Sequence, residues 1–246
     1  MKKLNFELTS FHLHILAMAL MLCDHLWVSV VPGNDWLTDI GRIAFPIFAF
    51  MTAEGFHHTK NIKKYAGRLL LFAVISEIPF NLVAGGSVFY PLHQNVLWTF
   101  LISVGLMWIN EKVKDKKIAI RFLTGAGTVA LGFALGLLSF CDYNYAGVFT
   151  VLMFYFLRER KWYNFVFQAF FLWYINVEML SGFYYEWELF GTKIEVVRQG
   201  FAMFALAPIW LYKGKQGLYN KAVRNLYYWF YPAHLLVLWL LRQIIA

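Results

Sequence analysis

Long apolar runs, cut at short intervals by clusters of charge, leave this chain few ways to fold. The runs fall at 11–31, 41–58, 64–84, 94–111, 118–140, 144–158, 161–180, 196–212 and 225–245. Most approach the ~20 residues a helix needs to cross the hydrocarbon core of a bilayer; 41–58 and 144–158 are short. With 60% of the 246 residues hydrophobic and only 15% charged, a soluble protein of this size could not cover its apolar surface. The expected fold is therefore all-α: a polytopic integral membrane helical bundle of about nine transmembrane helices, forming a single transmembrane domain over residues 1–246.

The loops supply an independent test, because cytoplasmic loops concentrate Lys and Arg. Alternate loops do so here. Lys2 and Lys3 precede the first run, and Lys60, Lys63 and Lys64 follow the second. Lys112, Lys114, Lys116, Lys117 and Arg121 stand between the fourth and fifth, and Arg158, Arg160 and Lys161 after the sixth. Lys213, Lys215, Lys221 and Arg224 precede the last run. The intervening loops carry Asp35, Asp39, Asp142, Glu186, Glu188 and Glu195, with Lys193 as their clear base. This alternation places the amino terminus in the cytoplasm and the carboxyl terminus on the far side. The formal net charge of +8 follows from topology and implies no nucleic-acid partner, since the bases lie between apolar runs and not along one face. The loop near 181–195, with Tyr184, Tyr185 and Trp187, reads as an interfacial aromatic belt. Gly132 and Gly136 form a G-x-x-x-G suited to close helix packing.

Charged groups in hydrocarbon are costly, so those that persist are paired, hydrated or functional. Asp24, Glu54, Glu77 and Glu178 lie within apolar runs. If the first run goes outward, Asp24 and His25 fall in its outer half, level with Arg42 at the start of the second and Glu77 in the third. Pro46 and Pro79 free backbone carbonyls nearby, which membranes tolerate where protein or water satisfies them. The simplest arrangement is a hydrated pocket open toward the outer face. His25 is the best candidate for proton transfer. Adjacent helical residues point ~100° apart, so Asp24 is expected to pair with Arg42 and to leave Glu77 as the orienter of His25. The alternative is a buried ion-pair network that only holds the helices in register. His14 shares a helical face with Met18, Met21 and His25, while His93 and His234 are within reach of the same layer. His57 and His58 follow Glu54 at spacings that can ligate metal, but their position beside Lys60 suits a headgroup or phosphate contact better, and no metal is expected. Soluble-enzyme motifs are absent, including G-x-S-x-G, H-E-x-x-H and C-x-x-C.

The stretches LCDHLW at 22–27, IGRIAFPIFAFMTAEGFHHTKN at 40–61, KKYAGRLLLFAVISEIPFNL at 63–82 and FYPAHLLVLWLL at 230–241 resemble the TraX family, over nearly the whole chain. That resemblance implies a multi-pass protein of the inner (cytoplasmic) membrane, acetylating the amino terminus of a pilin or another peptide with acetyl-coenzyme A as donor. It also implies a distant relation to transmembrane acyltransferases, with Asp24, His25, Arg42 and Glu77 as the matching positions. The mechanism then expected has the donor nucleotide on the cytoplasmic basic segments, with His57, His58, Lys60 and Lys64 as contacts. Its pantetheine arm threads toward His25, Arg42 or Asn81 steadies the thioester oxyanion, and Glu77 orients the imidazole. The rival classes are a proton-coupled transporter and a non-enzymatic membrane protein of pilus or conjugation assembly.

Overall fold

The structure, a computed structural model, describes residues 7–189 and 191–245. Lys2 and Lys3 of the topology argument lie outside the described residues. In chain order the elements are α1 (Ser10–Ser29), α2 (Trp36–Gly41), α3 (Ala44–His58), α4 (Ile62–Ala84), α5 (Val96–Glu111), α6 (Ile118–Leu138), α7 (Asn144–Phe156) and α8 (Trp162–Trp173). α8 continues as a π-helix over Tyr174–Leu180. A hairpin of β1 (Tyr184–Leu189) and β2 (Thr192–Val197) follows, then a 3-10 turn over Arg198–Ala205, α9 (Leu206–Leu211) and α10 (Lys221–Ile245). The fold is mostly helical. α1, α4 and α6 are long and apolar enough to cross a membrane, and α5 and α7 are shorter apolar helices.

Local sequence explains several helix starts. Thr9 accepts from the His12 backbone N–H while the His12 ring reaches back to the Thr9 backbone, a reciprocal cap on α1. Asn61 and Asn95 cap α4 and α5 by accepting from Lys64 N–H at 2.9 Å and Leu97 N–H at 3.1 Å. The run at 41–58 is shorter as a helix than it reads, because α2 ends at Gly41 and the chain turns at Arg42 and Ile43 before α3. The run at 196–212 is likewise not one helix: it begins inside β2 and passes through the 3-10 turn into α9.

The expected aromatic loop at 181–195 is instead an antiparallel hairpin, pairing Tyr184 with Val197 and Leu189 with Thr192. Alternation of Tyr185 and Trp187 with Glu186 and Glu188, opposite the β-branched Thr192, Ile194, Val196 and Val197, is a period of two that a helical reading overlooks. Tyr185 donates to Asp39 at 2.8 Å, and Arg198 meets Asp39 at 3.1 Å and Asp35 at 3.4 Å, fastening the hairpin's base to α2.

α3 is the central helix, buried along most of its length from Ala44 to Phe56. Its apolar side chains join Leu13 of α1, Val104 and Met107 of α5, and Val148, Leu152 and Phe154 of α7 in one core. α6 is peripheral, burying only Thr128, Gly132 and Gly136. A Cβ on Gly136 would sit 2.5 Å from the Tyr145 Cα, so the glycine is what lets α6 and α7 touch there. The outward faces are apolar, with Leu71, Val74 and Ile78 on α4 and Phe122 and Leu123 on α6 all exposed. Such a surface fits contact with lipid and would be a liability in water.

Candidate active site

Two polar clusters lie inside this apolar frame, one joining α1 to α2 and the other joining α1 to α10. α1 and α2 approach so closely that a Cβ on Gly41 would fall 2.4 Å from the Asp24 Cβ, which requires glycine there. That approach brings the buried Thr38 hydroxyl onto Asp24 at 2.6 Å, while Arg42 donates to the Thr38 hydroxyl at 2.7 Å and lies 3.6 Å from Asp24. Asp24 and Arg42 are thus partners, joined partly through Thr38, a residue the sequence reading did not single out.

His25 points elsewhere on α1, as the ~100° step between neighbours requires. Its Nδ1 lies 2.6 Å from Nε2 of His234 on α10. The ring planes are within 13° of parallel at a centroid separation of 4.9 Å, so the two imidazoles meet edge to edge along the N···N line. Nδ1 of His234 is 2.7 Å from the Phe230 carbonyl. A carbonyl only accepts, so that nitrogen carries the proton. With both rings neutral, His234 Nε2 is then bare and accepts from His25 Nδ1–H. The tautomer is fixed by this chain of bonds, and His25 Nε2 is left as the free basic nitrogen.

Glu77 does not supply the orienting carboxylate. It accepts from the Asn95 amide and from Trp98 Nε1 at 2.9 Å, and Asn95 also donates to the Ala73 carbonyl at 2.8 Å. Glu77 therefore clamps the start of α5 against α4, and among the described hydrogen bonds none joins it to His25. Asn81 is likewise committed elsewhere, donating to the Val88 carbonyl at 3.2 Å. Helix depth puts Glu77 at the level of His25, but depth leaves a residue's direction around the bundle open.

A cavity of about 560 Å³ runs from the end of the bundle that carries Thr59, Gly214, Gln216 and Arg224 toward the imidazole pair. His14, Met18 and Met21 line it along α1; Tyr227, Tyr228 and Tyr231 line it along α10. The lining stops at Met21 and Tyr231, about one helical turn short of His25 and His234. The sequence reading placed the opening at the opposite, acidic end, where the close α1–α2 approach and the Asp24–Thr38–Arg42 bonds occupy the layer instead. Two arginines stand among the lining residues near the mouth, Arg68 on α4 and Arg224 on α10. Arg68 donates to the Tyr228 hydroxyl at 2.9 Å.

Of the cations expected to meet the donor, Lys60 and Lys64 are exposed on the loop and first turn leading into α4. His58 lines the cavity and sits 3.3 Å from Glu54, which also accepts from Arg158 Nε at 2.7 Å. His57 stacks on Tyr155 at 5.2 Å and lines a different cavity. Arg68, one helical turn beyond Lys64, was legible as the next basic residue on that face; Arg224 was read only as a topological charge. His93 lies 3.4 Å from Asp142 on the acidic side, and that carboxylate, through its hydrogen bond, holds the imidazole above the usual histidine range.

The chain is 26% identical, over 95% of its own length and 96% of the relative's, to a Dichelobacter nodosus protein named "Probable fimbrial assembly protein FimC, serogroup H1". No solved structure gives a significant match. The family model described as "TraX protein" matches residues 10–242, which takes in the Asp24–Arg42 layer, the His25–His234 pair and every wall of the cavity between them and the basic end; the chain belongs to the TraX family.

Proposed function

We propose that this membrane protein is an acetyltransferase of the inner membrane, using acetyl-coenzyme A to acetylate an amine or hydroxyl such as a peptide or pilin amino terminus. Its apolar helices cross the bilayer, with the basic loops in the cytoplasm. The carrying observation is a cavity that starts among basic loops and ends under a pair of hydrogen-bonded imidazoles with one free basic nitrogen. Along α10, His234 lies roughly 15 Å beyond Arg224 at the mouth, the distance the donor's arm has to cover.

In this reading Arg68 and Arg224 hold the donor's phosphates at the mouth, and the aromatic and methionine walls receive the arm. His25 Nε2 takes the proton of the acceptor N–H or O–H as the new bond to the acetyl carbon forms and the carbon–sulfur bond breaks. Coenzyme A leaves as the thiolate and is then protonated. As His25 gains that proton it passes its Nδ1 proton toward His234, whose own Nδ1–H is stabilised by the Phe230 carbonyl. Arg42, held by Thr38 and Asp24, is the cation assigned to the developing oxyanion.

Purified protein incubated with labelled acetyl-coenzyme A and membrane extract should transfer label to an acceptor. His25→Ala should lower transfer by about 10²–10⁴-fold, the usual contribution of a positioned general base, with membrane insertion retained. Undiminished transfer in that variant overturns the role of His25. The relative's name favours a second reading, a non-enzymatic membrane protein of fimbrial or pilus assembly. The two separate on ligand stabilisation: coenzyme A or acetyl-coenzyme A must raise the thermal midpoint of a protein that binds it, and no rise with either supports the assembly reading.

A further inference from the structure

α6 is seated on the rest of the protein from its middle, where Asn110 of α5 donates to the Thr128 hydroxyl at 2.8 Å, to its acidic end. Near its acidic end Gly132 and Gly136 bring it onto α7. Toward its basic end the partner helices stop and the gap widens. A Cβ on Gly125 would meet only ordinary contacts, the closest being Phe156 at 3.7 Å, and one on Gly127 would meet nothing within 4 Å. The result is a cleft of about 930 Å³ walled by α6 and by the basic ends of α5 and α7. Phe122, Ala126, Val129 and Phe156 give it an apolar wall, and Glu111, Lys114, Arg121, Arg158 and Glu159 give it charge. An apolar wedge at this depth, open sideways along a peripheral helix, is filled by lipid when the protein is in a bilayer.

The rim chooses which lipid. Lys114 is paired with Glu111 at 2.5 Å, Arg158 with the buried Glu54 at 2.7 Å, and Glu159 with Lys161 at 2.5 Å. Those three pairs cancel. Arg121 also lines the cleft, one turn into α6, and has no carboxylate partner among the described residues. The residues lining the cleft therefore carry one positive charge without a carboxylate partner, beside an apolar wall. That is the complement of a phosphodiester bearing a single negative charge on two acyl chains, and a poor match to a multiply charged soluble nucleotide.

We infer that the α5–α6–α7 cleft is a binding site for an anionic glycerophospholipid of the cytoplasmic leaflet, with its phosphate on Arg121 and an acyl chain against Phe122, Ala126 and Val129. Basic recesses between membrane helices on that side are suited to such headgroups. The inference needs the membrane orientation proposed above but is independent of acetyl transfer. It also explains how a helix with three buried residues is held along its basic half: the lipid completes the packing that protein leaves out.

The test uses the full chain in neutral detergent, with thermal unfolding and native mass spectrometry in the presence of phosphatidylglycerol or phosphatidylcholine of identical chains. Phosphatidylglycerol should raise the midpoint and persist as an adduct more than phosphatidylcholine. Arg121→Gln should weaken that preference about fivefold, the equivalent of about 1 kcal/mol for one basic residue at an anionic headgroup. Ala126→Phe, which fills the slot and leaves every charge in place, should reduce retention of phosphatidylglycerol as well. Equal effects of the two lipids, a full preference surviving Arg121→Gln, or the same stabilisation from glycerol 3-phosphate or inorganic phosphate alone would each overturn the site. Loss of acetyl transfer with lipid preference intact would sink the proposed function and leave this site standing.

Discussion

Replacing Gly136 by Ala adds one methyl group where α6 rests on α7. The new carbon would lie 2.5 Å from the Tyr145 Cα and 2.6 Å from its backbone nitrogen. Both atoms are main chain, so no side-chain rotation relieves the clash and the helices must separate by about an ångström. Overpacking of this kind costs typically about 1–3 kcal/mol. Alanine's higher helix propensity offsets about 1 kcal/mol of it, leaving a net loss of up to about 2 kcal/mol. At roughly 2–4 °C per kcal/mol for a chain of this size, the thermal midpoint in detergent should fall by several degrees. Gly127→Ala, on the same helix with nothing within 4 Å of the added carbon, should leave the midpoint unchanged or raise it. The measurement is a pair of melting curves at matched detergent and protein concentration, following loss of the monodisperse peak in size-exclusion chromatography. Equal midpoints for the two variants would refute the claim that α6 is seated by backbone contact at Gly136.

Arg158→Gln should destabilise the protein by about 1–3 kcal/mol, the cost of a buried carboxylate losing a charged partner, below that of a fully buried pair because water reaches Arg158 and His58 stays 3.3 Å from Glu54. Adding Glu54→Gln should recover most of that loss in the same melting assay, since the cost lies in the stranded carboxylate. His93 has its pKa raised by Asp142, so its contribution to stability is fully present below the ordinary histidine value near 6.5 and is lost as pH rises through the higher folded value. His93→Gln should therefore lower the midpoint at pH 6 and change it little at pH 9; the effect is roughly 0.2–1 kcal/mol for an exposed pair. His234→Phe should impair labelled acetyl transfer by changing the pH profile as well as the rate, because it removes the acceptor of the His25 Nδ1 proton; an unaltered profile would make His234 a packing residue only.

The amino-acid order alone determined the helical, lipid-facing character of the protein. Apolar runs near bilayer length need no knowledge of their neighbours, because the cost of exposing backbone and charge to hydrocarbon acts on each segment separately. The step of ~100° per residue likewise sufficed to separate Asp24 from His25 and to send Asp24 toward Arg42. It failed where a pattern was short or mixed: six residues of alternating Tyr, Glu and Trp form a strand, and Gly41 and Arg42 end one helix before another begins. Only the tertiary structure decided the rest. Helix depth sets the level of Glu77, but which neighbour it faces depends on how α4 is turned, and packing turns it to Asn95 and Trp98. The partner of His25 comes from α10, 209 residues away, and no local rule selects it. The cavity that ends one turn short of that pair is lined from α1, α3, α4, α5 and α10 together, so it exists only once all of them are in place.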